Sequence, residues 1–111
     1  MAILSTSLDS TAKPISPLLS SDSAITVMMF CNQNTPDPLD VTAGRQFVSI
    51  YAVAAGDTPS DTNKIGNEVP IDASDTFTFS SERLVLSPGD RIQASTTDSG
   101  QISVTVSYVI I

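Results

Sequence analysis

The chain has 111 residues, with 12 acidic side chains against 5 basic ones and a net charge of −7. That length supports one domain with a modest core of its own, and the acidic balance argues against nucleic acid, whose phosphates it repels. With no His, no Trp and a single cysteine, Cys31, the chain lacks the usual catalytic base and has no internal disulfide; no apolar run approaches the roughly 20 residues that span a bilayer.

Ser, Thr, Val and Ile are abundant while Lys and Glu are scarce, a composition that favours extended strands over long helices. The start, "MAILSTSLDS", lacks a basic region followed by a long apolar stretch, so synthesis in a cytoplasm without a secretory signal is expected. Residues 1–22 read as an extended N-terminal arm or an edge strand. Their apolar residues are sparse, and Pro14 and Pro17 each remove a ladder donor. Residues 23–111 read as a β-sandwich domain.

Within that domain "AITVMMFCN" is apolar at almost every position, which predicts a strand covered on both faces, with Cys31 as a small buried hydrophobe. "NTPDPLDVTAGR" reads as a loop. In "QFVSIYAVAAG" the even row, Val48, Ile50 and Ala52, is assigned to the core. The odd row, Phe47, Ser49, Tyr51 and Val53, is assigned outward. "GDTPSDTNKIGNEV" reads as a polar loop, and "NEVPID" as a short edge strand broken by Pro70. "DTFTF" places Phe77 and Phe79 on one face, and "RLVL" is a further short strand. "SPGD" is a type II turn with Gly89 at the position that needs positive φ. "RIQAST" points Ile92 and Ala94 inward, and "TDSGQ" turns into the last strand. There Ile102, Val104, Val106 and Tyr108 share one face, with Ser103, Thr105 and Ser107 on the other.

Seven or eight short strands joined by Gly, Pro and Asp turns predict an all-β fold: an antiparallel β-sandwich, jelly-roll-like, with a barrel as the alternative. No constellation in the sequence carries chemistry. Asp57 and Asp61 offer oxygen ligands without the calcium-loop register, so a solvated turn is the simpler reading. Cys31 has no histidine to activate it. Arg45, Arg83 and Arg91 lack a Gly-rich phosphate loop and are expected to pair with neighbouring acids such as Glu82 and Asp90. No catalytic, cofactor-binding or metal residue is assigned.

The segments "AILSTSL", "VSIYAVAAG", "GDTPSDTNKI", "VPIDASDTF", "LVLSPGDRIQA" and the closing Val/Thr/Ser strand occur in an order that resembles a family of small tailed-bacteriophage virion proteins. The likeness is nearest to those of myophages of marine cyanobacteria and covers Met1 to Ile111. The connection "NTPDPLDVTAGRQF" departs from that pattern in being longer and richer in proline. The resemblance implies a non-enzymatic structural part of a virion, made in the host cytoplasm and assembled as a homotrimer or other symmetric oligomer. It implies itself and a major capsid or other virion protein as partners, with no nucleic acid, membrane or cofactor. Two roles follow: a capsid decoration or cement protein, or a tail, neck or fibre-associated module binding another virion protein or a host-surface glycan. The candidate subunit interface is an outward apolar row of Met29, Phe47, Tyr51 and Val53, the alternative cover for that row being the N-terminal arm. On this assignment Tyr51→Asp weakens self-association more than Thr105→Asp.

Overall fold

The computed structural model describes residues 2–16, 20–79 and 84–111, and every regular element in them is a strand. These are β1 (Ala2–Ser7), β2 (Lys13–Pro14), β3 (Ser23–Asn32), β4 (Gln46–Val53), β5 (Lys64–Ile71), β6 (Thr76–Phe79), β7 (Leu84–Leu86), β8 (Arg91–Thr96) and β9 (Ile102–Ile110). They form two antiparallel sheets. The first runs β1-β9-β3-β6, with β7 also on β3, and the second runs β2-β8-β4-β5. The pairing is nested: β1 lies on the last strand, β2 on the last but one, and β4 on its hairpin partner β5. No helix long and apolar enough to cross a membrane occurs among the described residues.

The alternation of the strands explains the core. Val48 and Ile50 of β4, Ile92 and Ala94 of β8, and Ile102, Val104 and Val106 of β9 are all buried, as their period of two predicts. They meet Ile25, Met28 and Phe30 of β3 in one cluster shared by the two sheets. Phe77 and Phe79 of β6 pack against it together, the ring of Phe77 lying 6.2 Å from that of Phe30 in a tilted arrangement. At "SPGD" the Asp90 N–H donates to the Ser87 carbonyl at 3.0 Å and Gly89 takes φ +90°, which is the type II geometry.

Two expectations are corrected and a third is narrowed. First, β3 is not covered on both faces. Its register slips between Ile25 and Val27, leaving Thr26 as an extra residue whose hydroxyl donates to the Ser107 carbonyl at 3.0 Å. This bulge moves the inward row from Ile25 to Met28, Phe30 and Asn32. The apolar run therefore reflects a switch of parity, and Met29 and Cys31 sit on the outer face, with Cys31 half-buried.

Second, β5 begins at Lys64, inside the segment read as a polar loop. It is an edge strand with two register irregularities against β4. Asn67 and Glu68 together stand opposite Ser49; Glu68 adopts φ +47° and its N–H donates to the Ser49 hydroxyl at 3.2 Å.

Third, of the two readings of 1–22 it is the edge strand that holds, at Ala2–Ser7 and Lys13–Pro14. β1 and β2 extend the two sheets, Leu8 and Ile15 lie fully inside the common core, and their N–H groups donate to Ile102 and Ile92. Of its apolar residues, Leu8 and Ile15 are buried, while Ile3 stays exposed on the outer face. The expectations that touch Pro17, Glu82 and Arg83 lie outside the described residues.

Candidate assembly surface

Charge is divided unequally between the sheets. The strands of the second sheet carry Lys13, Lys64, Glu68 and Arg91, whereas the five strands of the first contain no Asp, Glu, Lys or Arg at all. In a chain with 12 acids, five described strands without a single charge set this sheet apart from the other.

The pairing register orders the outer face of the first sheet into rows. Val109, Ala24 and Val85 form the first, and Ile3, Ser107 and Val27 the second. Ser5, Thr105, Met29 and Thr78 form the third, and Ser7, Ser103, Cys31 and Thr76 the fourth. One end is thus aliphatic and the other carries hydroxyls. Ile3 is 70%, Val85 62% and Met29 39% exposed, so the aliphatic end faces solvent in the single chain. Absence of charge together with exposed aliphatic side chains is the composition of an interface centre.

The row proposed from sequence does not form one surface. Met29 belongs to the outer face of the first sheet, while Phe47 and Tyr51 lie on the second. Phe47 is exposed, but Lys64 covers Tyr51, its ammonium 5.6 Å from the ring centre and 3.2 Å from Asp61. Val53 is only 2% exposed. The loop after β4 returns across this end: the Ala55 N–H donates to Asp90, and the Arg91 guanidinium, beside Val53 in the register, donates to the Asp57 carbonyl. A local strand pattern contains no trace of that return.

The ionisable groups hold loops in place. Arg45 pairs with Asp72, and Lys13 with Asp9 at 3.6 Å. Arg91 donates to the Gly89 and Asp57 carbonyls, and Asp90 accepts from the Ala55 and Ser87 N–H groups, so these two do not pair as expected. Asp61 is occupied by Lys64. No three His, Cys, Asp or Glu side chains converge among the described residues.

In the loop between β3 and β4, Asp40 accepts from both the N–H and the hydroxyl of Thr42, which holds its carboxyl below the ordinary value. The base of that loop is fixed by buried Asn32, whose amide donates to the Gly44 and Ile71 carbonyls at 2.8 and 2.9 Å. Its tip displays Leu39 and Val41 to solvent.

Comparison with protein-family models, with curated proteins and with solved structures finds no match. The surface therefore stands on its own geometry. Sequence reasoning missed it because its members come from five segments far apart in the chain. The signal was present in each of them, as strands without a single charged residue, but only the pairing brings them onto one sheet.

Proposed function

We propose that this chain is a non-enzymatic structural subunit that assembles with copies of itself and with a second virion protein, most simply as a decoration or cement protein on a bacteriophage capsid. The observation that carries the assembling role is the uncharged first sheet. Copies that each carry −7 repel one another over most of their surface. Contact through a face without charge avoids that repulsion and removes Ile3, Met29 and Val85 from water.

The nested strand order supports reading the two sheets as a jelly-roll sandwich, a ribbon of β1 to β4 against β5 to β9 rolled up on itself. Viral capsid domains and lectins are built on that plan. The placement on a phage rests on the resemblance of "LVLSPGDRIQA" and the terminal strand, together with the segments before them. Ala2–Ser7 and Lys13–Pro14 belong to the sheets, and Leu8 and Ile15 bond to them, so docking through a free N-terminal arm is not part of this reading, and the contact with the shell is assigned to folded surface.

The tail or fibre module is the second reading, favoured by the rigid loop that presents Leu39 and Val41. Its glycan-binding form is the weaker, since sugars stack on exposed aromatic rings and, with Lys64 over Tyr51, Phe47 is left as a single exposed ring among the described residues. Copy number in purified particles that carry this chain separates the two. Hundreds of copies per particle are expected for decoration; a handful, located at the tail, would replace it with the module.

A further inference from the structure

Two sheets have four edges, and three of them carry devices that block pairing with another chain. β2 is two residues long and contains Lys13 and Pro14. β5 has two register irregularities, a residue at positive φ, Lys64, Glu68 and Pro70. The edge opposite β1 is divided between β6 and β7, of four and three residues. Short length, bulges, charge and proline are the usual means of keeping an edge from templating a foreign strand. β1 has none of them. Its six residues, "AILSTS", pair with β9 without irregularity, carry no charge and no proline, and expose Ile3 at 70%.

We propose that β1 is an assembly edge, and that two copies of this chain pair β1 to β1, antiparallel, about a two-fold axis normal to the sheet. This rests on the reading of the chain as an assembling subunit and names the partner and the geometry of its first contact. Each β1 supplies the backbone donors and acceptors that the other leaves open, so the contact is self-complementary, as a two-fold interface must be.

The pleat fixes the register. Residues directly opposite one another in an antiparallel pair point to the same face, so outward Ile3 and Ser5 must meet outward residues and half-buried Leu4 an inward one. Centring the axis on Leu4 sets Leu4 against its own copy, Ile3 against Ser5 and Ala2 against Thr6. Centring it on Ser5 sets Leu4 against the hydroxyl of Thr6. Both registers pair five of the six residues, whereas an axis on Ile3 pairs three; of the two, apolar contact between the two Leu4 side chains selects the first.

Size argues in the same direction. Four strands spaced about 4.8 Å apart and about 27 Å long present roughly 500 Å², less than the about 800 Å² per partner of a standard stable interface. Two sheets joined at β1 present about twice that area as one continuous uncharged surface, enough to seat on a further partner.

The test combines solution mass with cross-linking. Ser5→Lys places a solvated charge on the open edge at an exposed position and leaves the core untouched. It is expected to halve the mass at a concentration where the native chain is paired, and to melt where the native chain melts once diluted to monomer. In a Cys31→Ser background, Leu4→Cys is expected to form a disulfide-linked dimer under mild oxidation, and Ser5→Cys, which meets its own copy only in the second register, to form none. Native mass in Ser5→Lys, or absence of a Leu4→Cys cross-link, overturns the pairing as stated. If Ser5→Lys keeps the native mass and Thr105→Asp lowers it, β1 pairing fails while assembly through the outer face stands. A native chain that stays monomeric overturns both.

Discussion

Met29 and Thr105 lie directly opposite each other across β3 and β9, in the middle of an outer face where no strand residue is charged. A carboxylate introduced there has no cation on the described strands of that sheet to meet and must be desolvated when a second copy covers it. Thr105→Asp is therefore expected to weaken self-association by at least about tenfold, equivalent to about 1.4 kcal/mol. Tyr51→Asp, on the other sheet and already beside Lys64, is expected to change it by less than about twofold. This reverses the ranking that the sequence suggests. Sedimentation over a range of concentrations measures both, and a larger effect at Tyr51 would contradict the assignment of the face.

Asn32 ties three segments together from a fully buried position. Its amide donates to the Gly44 and Ile71 carbonyls, and its side-chain oxygen accepts the Asn34 N–H at 2.9 Å. Asn32→Ala leaves the buried Ile71 carbonyl without that donor, and the expected loss of stability is about 3 kcal/mol. Urea unfolding measures it. A loss below about 1 kcal/mol would mean that water replaces the amide.

Gly89 combines φ +90° with a close neighbour: a Cβ there would stand 2.8 Å from Cβ of Ala55. Gly89→Ala therefore adds a steric clash to the cost of a left-handed backbone, for a total of about 2 kcal/mol. Gly56, at φ +84°, has open space around it, so Gly56→Ala carries the backbone cost alone. Thermal unfolding should order the two variants with Gly89→Ala the less stable; the opposite order would count against the packing of the turn on the loop after β4.

Asp40 gives a pH prediction of definite sign. Hydrogen bonds from the Thr42 hydroxyl and N–H, with a further one from Ala43, favour its ionised form, so its pKa is lowered from 3.8 in the folded chain. The loop contacts it supports are complete above 3.8 and are lost as pH falls through the lower folded value. The Thr42 amide resonance is expected to titrate with a midpoint below 3.8, and Asp40→Asn to abolish that transition. A midpoint at or above the ordinary value would show that these hydrogen bonds do not persist in solution.

Where local pattern alone determined the outcome, the sequence was sufficient. The alternation of Ile102, Val104 and Val106 and the "SPGD" turn specify their own geometry, since period-two burial and positive φ are properties of a few consecutive residues. The switch of parity at Thr26 was hidden, because a bulge looks in sequence like continuous apolar character. The burial of Val53 was hidden for another reason: it depends on the loop just after it, where Ala55 and Asp57 are fixed by the distant Asp90 and Arg91. The candidate surface was the least legible. Each uncharged strand could be read singly, but their gathering on one sheet is set by pairings such as Ala2 with Tyr108, more than a hundred residues apart.

Light scattering of the native chain over a wide concentration range tests the central claim most directly. Assembly through uncharged sheet surface predicts a mass that rises to an integral multiple of 11.6 kDa and persists at high salt, since no ion pairs hold the contact. A mass that stays at 11.6 kDa to millimolar concentration would contradict it.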